Sequence, residues 1–232
     1  MYMNDMFVVQ AKFIGEEPQK KLGNKTVAIV GCGGLGSPLV QMAARSGIGT
    51  LILIDNDSVS ESNLGRQILY TREHIGKPKA QVAASIVKAI NPSINVIYHV
   101  KRLTSDNVEE LLQDADVILD GTDNYKTRFI ISRYAEKEKK DFVFGAVAGA
   151  YGMAKAFPHT EGIYLHHVMN PSLETAEAVP TAESGGLVPS ILLFITGFMW
   201  TEALKMLIDR YDLVNTKMLI ADLFQGDIKM LG

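Results

Sequence analysis

Three glycines, Gly31, Gly33 and Gly36, follow the apolar run 27–30, and an acid, Asp55, closes the next apolar run at 51–54. In the G-x-G-x-x-G spacing the first glycine permits a tight turn, the second lets backbone approach a phosphate, and the third allows close helix–strand packing. A helix starting there points free N–H groups at an anion on the loop. A carboxylate ending the next strand can accept hydrogen bonds from ribose hydroxyls. The plainer reading of Asp55 is a turn former, and the glycine pattern alone is weak. Strand, loop, helix, strand and acid together read as half of a nucleotide site.

Three further segments bear on the chemistry: SESNLGRQ at 60–67, IGKPKA at 75–80 and DGTDN at 120–124. Hydride transfer needs a general acid or base beside a nicotinamide, whereas phosphoryl or nucleotidyl transfer needs cations and a metal-binding carboxylate around a polyphosphate. These segments supply the second set. Arg66 can grip phosphate oxygens bidentately, Lys79 adds a point charge, and Asp123 can hold Mg²⁺, which takes oxygen ligands.

The elements that must position these groups alternate. Apolar strands are expected at 27–30, 51–54, 94–100, 117–119 and 142–147, with helices at 80–90, 107–113 and 125–137 between them. Asn91-Pro92 stops the helix at 80–90. Such alternation implies a parallel sheet covered on both faces, with ligand at the carboxyl ends of the strands. Beyond 149 the rhythm changes, and alternating segments at 153–157 and 163–167 predict antiparallel strands. Residues 170–189 lack apolar periodicity and read as a mobile surface loop. A helix at 190–210 and a strand at 218–222 follow. The fold class expected is α/β: a Rossmann-like, doubly wound, mainly parallel sheet with a C-terminal antiparallel extension.

A chain of 232 residues with net charge −3 suits one domain, and its 23 dispersed basic residues form no stripe for nucleic acid. Cys32 is the only cysteine. It excludes an intrachain disulfide and a cysteine-based zinc cage within one subunit, and it fits a reducing cytoplasm. No secretory leader is expected, and the apolar run 187–200 is interrupted by Pro189 and too short to span a bilayer, so no membrane role is read. That run reads as a buried helix or a subunit contact. The mixed-sign run 136–140 reads as a solvated helix end.

GCGGLG at 31–36, LIDND at 53–57, SNLGRQ at 62–67, GKPKA at 76–80 and GTDN at 121–124, in this order, resemble the MoeB/ThiF/HesA group of adenylating enzymes, over nearly the whole chain. The resemblance implies ATP on Gly31, Gly33, Gly34 and Gly36 with its ribose on Asp55. It places Asn63, Arg66, Gln67 and Lys79 around the phosphates and Mg²⁺ on Asp123. Arg66, Lys79 and Asp123 are the catalytic candidates. The implied substrate is the C-terminal carboxylate of a small ubiquitin-like sulfur-carrier protein ending in Gly-Gly, and the implied assembly is a homodimer. Within a single adenylation domain, 1–24 would be an N-terminal arm, 25–149 the nucleotide-binding half, and 150–232 the carrier-binding and dimerisation half. Leu173 and Val179 would meet the carrier.

Plainer roles stand beside these. Arg66 and Lys79 can be solvated surface cations, and Asp123 can cap the helix that begins near Asn124. Asn63 and Gln67 can satisfy loop backbone, and Asp57 either assists the metal or shapes its loop. His166 and His167 read as packing or surface residues. The chain also departs from the group: Val9 stands where many relatives carry an arginine that reaches the partner subunit's ATP site, and nearby Lys12 lacks the planar fork of arginine. The consequence left open is slow adenylation or none. The zinc-binding C-x-x-C pairs are missing, so no structural zinc is expected, and Thr181 stands near the place of a loop cysteine used by some members. Two rival functions remain: an NAD-dependent oxidoreductase, and a catalytically weak ATP- or carrier-binding homologue.

Overall fold

The computed structural model describes residues 5–174 and 185–232. The described part of the arm holds a 3-10 turn at Asp5–Phe7 and two short α-helices, α1 (Val8–Ile14) and α2 (Glu16–Leu22). The β-α alternation then follows: β1 (Thr26–Val30), α3 (Gly36–Ser46), β2 (Thr50–Ile54), α4 (Lys79–Ile90), β3 (Asn95–His99), α5 (Val108–Leu112), β4 (Val117–Asp120), α6 (Tyr125–Lys137) and β5 (Asp141–Ala148). The chain continues through β6 (Tyr151–Phe157), α7 (Leu165–Val168), α8 (Pro189–Leu207), β7 (Met218–Asp222) and β8 (Asp227–Leu231).

All the strands belong to one eight-stranded sheet of order β3-β2-β1-β4-β5-β6-β7-β8. The first five are parallel and the remaining pairs antiparallel, which matches the expected class. Strand alternation sorts the core into two layers. Val27, Ile29, Leu51 and Leu53 face α3, α4 and α8, whereas Ala28, Val30, Ile52 and Ile54 face α5 and α6. The apolar helix α8 lies on the sheet where Gly145 and Gly152 leave room. A Cβ on Gly145 would stand 2.3 Å from Met199, and one on Gly152 2.4 Å from Ile195. Although α8 is long and apolar enough to cross a membrane, 56% of its most apolar window is buried inside the protein.

One expectation changes. Residues 163–167 do not form a strand: the neighbours Tyr164 and Leu165 both enter the same core layer, which side-chain alternation on a strand forbids, and the chain coils into α7. Strand β8 has no sequence signal because every residue in it is exposed at the sheet edge. The segment 170–189 is tied down at its described ends. The turn Pro171–Glu174 carries a bidentate ion pair from Arg133 to Glu174 (2.6 and 2.7 Å), and Val188 N–H donates to Gly149 O (2.9 Å). Val179 and Thr181 lie outside the described residues.

Candidate nucleotide site

Strand order reverses between β1 and β4, so the loops leaving their carboxyl ends diverge and open a crevice. A cavity of about 620 Å³ occupies it. On one side lies the glycine turn. Gly31 has φ +87°, and its carbonyl is so close to α3 that a Cβ on Gly36 would stand 1.9 Å from it. Gly31, Gly33 and Gly34 line the cavity; Gly36 lies behind them as the packing glycine. The turn is held from outside as well, since Tyr70 OH donates to Cys32 O at 2.7 Å.

Asp55 does two jobs in this frame. Its Oδ2 accepts from Cys32 N–H and its Oδ1 from Asp57 N–H, both at 2.7 Å, so the carboxylate clips the glycine turn to the β2 loop while still lining the cavity. Burial pushes its carboxyl above the ordinary range, against the lowering effect of those two N–H groups and Lys79. The turn-former reading is therefore correct for Asp55, without removing it from the site. Asp57 pairs through Oδ2 with Lys79 Nζ at 3.2 Å, and its backbone carbonyl accepts from Lys79 N–H at 2.9 Å. It shapes the loop and aims the lysine.

Lys79, at the start of α4, is buried and faces the cavity, so the solvated-surface reading fails for it. Arg66 is half-buried on the wall and donates from Nη1 to Ser62 O at 3.0 Å. Gln67 is buried there too, and among the described residues its Oε1 has no hydrogen-bond partner. A buried amide with one end unmet is costly unless a ligand completes it. Asn63 is turned away: its Oδ1 accepts from Ser60 N–H at 3.0 Å, and it does not line the cavity. For Asn63 the loop-backbone role is the observed one.

At the end of β4, Asn124 and not Asp123 caps α6, accepting from Thr127 N–H at 3.0 Å. Asp123 stays exposed at the cavity, where Asn124 Nδ2 approaches it at 3.3 Å. An accessible carboxylate of this kind is the hard oxygen donor that Mg²⁺ takes. Sequence reasoning gave Asp120, within DGTDN, no role of its own and passed over Arg128. Asp120 is fully buried, accepts from Thr122 N–H and Oγ1–H (2.9 and 2.6 Å), and has its pKa raised by burial. Arg128 lies 3.4 Å from it, donates to Thr122 O at 2.6 Å and stacks over Tyr125 and Phe144. A basic residue at the second turn of a helix after an acid-ended strand was the available signal.

The ThiF family model matches residues 8–231. The chain belongs to the ThiF family. This ThiF-family chain is 33% identical over 225 residues to the sulfur carrier protein adenylyltransferase of Thermus thermophilus, covering 94% of this chain and 82% of that one. It is 36% identical over 196 residues to the sulfur carrier protein ThiS adenylyltransferase of Bacillus subtilis, covering 84% of this chain and 57% of the other. In fold it is similar to the crystal structure of E. coli MccB with ATP: TM-score 0.81 at 19% identity, over 93% of this chain and 65% of that one.

Outside the cavity, the departures have structural accounts. Val9 is 81% exposed, and beside it Gln10 anchors α1 by donating to Gln19 Oε1 (2.8 Å) and Ser46 O (2.9 Å). Lys12 is exposed on the same helix, and no cavity residue comes from it. Cys32 is buried with its thiol pKa pushed well up by burial, which makes it inert packing. His166 and His167 both face Glu136 (3.0 and 3.4 Å). Their other ring nitrogens meet Ser132 Oγ (2.7 Å) and Tyr164 N–H (3.1 Å), so hydrogen bonding between α6 and α7 accounts for both.

Proposed function

We propose that this protein uses ATP to adenylate the C-terminal carboxylate of a small ubiquitin-like sulfur-carrier protein ending in Gly-Gly, releasing pyrophosphate. The observation that carries the reading is the continuity of the cavity. From the glycine turn, Lys79, Arg66 and Gln67, it runs on to Ala146, Tyr151, Met153 and Ile220 on the antiparallel half of the sheet. One end, with its glycine turn and cations, suits a triphosphate, and the other, lined mainly by apolar side chains, suits an extended tail of small residues.

A carboxylate oxygen of the tail attacks the α-phosphorus. The new O–P bond forms as the bond to the pyrophosphate oxygen breaks, and no protein nucleophile takes part. Catalysis is positioning plus neutralisation of charge. Lys79, fixed by Asp57, and Arg66 stabilise the charge that builds on the phosphates and leaving group; Asp55 orients the ribose. When bound at Asp123, Mg²⁺ supplies further positive charge to the triphosphate.

Like the assembly the family resemblance implies, the reading includes a homodimer. The exposed apolar Val9, Phe13, Ile68 and Leu193 supply surface for it, and light scattering tests it. With Val9 in the arm, no cation reaches a partner's site from that position. A reducing, cytoplasmic setting belongs to the same reading.

The test is exchange of labelled pyrophosphate into ATP, dependent on an added Gly-Gly carrier, alongside thermal shifts with ATP–Mg²⁺ and with NAD. Stabilisation by NAD and not ATP returns the oxidoreductase. Stabilisation by ATP without exchange leaves a binding module that has lost turnover.

A further inference from the structure

The cations around the cavity are not equivalent. Lys79 is paired with Asp57 and Lys101 with Glu110 (3.4 Å); Arg66 is bonded to Ser62 O, and Arg128 to Thr122 O. Arg102 also lines the cavity. Among the described residues it has no ion-pair partner, and no acceptor bonds its guanidinium; only its backbone carbonyl is engaged, by Asn107 Nδ2 at 3.0 Å. Asn107 Oδ1 accepts from Thr104 N–H at 2.8 Å as well, so the turn carrying Arg102 is pinned while its side chain is uncommitted.

Its place in the sheet indicates what it meets. Asp55, at the end of β2, marks the ribose. The glycine turn after β1 lies to one side of it, and β3 to the other. With the phosphates on the glycine-turn side, the base extends toward the turn that follows β3. There Leu103, 4% exposed, gives the cavity an apolar wall together with Val30 and Ile54, and Arg102 stands at its rim. An apolar wall with a planar cation beside it is a slot for a flat aromatic ring, and a guanidinium stacks well on such a face.

We infer that Arg102 covers the purine base of the bound nucleotide with its guanidinium plane and sets how tightly ATP is held. This rests on the nucleotide reading above. The test is equilibrium binding of ATP and of inorganic tripolyphosphate to the full chain and to Arg102→Ala and Arg102→Lys. Both substitutions fall at an exposed side chain with no polar partner among the described residues, so the fold is expected to survive, and circular dichroism checks that. ATP affinity should fall roughly three- to thirtyfold in the alanine variant, with little recovery in lysine, which keeps the charge but not the plane. Tripolyphosphate affinity should stay the same in all three proteins. In turnover, KM for ATP should rise with kcat unchanged.

Unchanged ATP affinity in Arg102→Ala overturns the inference. So does a parallel loss of tripolyphosphate affinity that lysine restores, which makes Arg102 a phosphate contact. Failure of the unaltered protein to bind ATP refutes the nucleotide reading itself.

Discussion

Replacing Gly36 by alanine tests the packing on which the phosphate cradle depends. The new Cβ would stand 1.9 Å from Gly31 O and 2.8 Å from Gly31 C. Relief needs a movement of over about 1 Å to reach ordinary contact. The Gly31 carbonyl has little room to retreat, because a Cβ on Gly121 would already lie 2.5 Å from it. Gly31 N–H is bonded to Ile54 O and Gly121 N–H to Val30 O, both at 2.7 Å. Overpacking costs about 1–3 kcal/mol, and two opposed backbones put this case at the upper end. Alanine's better helix propensity at the start of α3 offsets at most about 1 kcal/mol. The net of about 2 kcal/mol corresponds to a midpoint lowered by about 4–8 °C in a chain of this size. Thermal unfolding by circular dichroism reads it, with Gly65→Ala as the control, since nothing lies within 4 Å of a Cβ there. KM for ATP should rise in the same variant as the turn moves. A Gly36→Ala protein that melts with the control and keeps its KM would refute the reasoning.

Asp123→Ala should abolish carrier-dependent pyrophosphate exchange and leave the thermal midpoint within about 1–2 °C, because Asn124 and not Asp123 caps α6; retained exchange removes the metal role. Asp55→Asn leaves one of the two N–H donors on that carboxylate without an acceptor and should cost about 1–3 kcal/mol. Because burial raises the Asp55 pKa, the folded wild type binds its proton more readily than the unfolded chain, and its stability falls as pH rises from the ordinary carboxyl value through the raised one. The wild-type advantage over Asp55→Asn should therefore narrow in urea unfolding as pH rises above the ordinary carboxyl range, and a widening gap contradicts the burial argument. Arg128→Leu strands the buried Asp120 carboxylate and should cost about 3 kcal/mol or more by chemical denaturation; adding Asp120→Asn should recover part of the loss, and no recovery breaks the pairing.

Much of the parallel half was legible in the residues because its signals are local. Glycine spacing, apolar runs and an acid at a strand end are imposed by backbone geometry within a few residues, and β1, α3, β2 and the glycine turn lie where that pattern puts them. The family motifs added Arg66, Gln67, Lys79 and Asp123, and all four line one cavity.

What the chain order could not determine is which loops meet. The reversal of strand order between β1 and β4 sets residues 101–103, 121–125, 146–148 and 151–153 around the same space, and no local periodicity encodes that choice. Tertiary contacts also decided individual roles: Asn124 rather than Asp123 as the cap, Asn63 turned into its own loop, and Arg128 drawn to a buried Asp120. They coiled Leu165–Val168 into a helix because two neighbouring side chains, Tyr164 and Leu165, had to enter one core. Sequence thus determined the elements and the kind of ligand, since both follow from short-range sterics and charge. The fold decided which charges are already paired and which remain open, because pairing depends on distances between residues far apart in the chain.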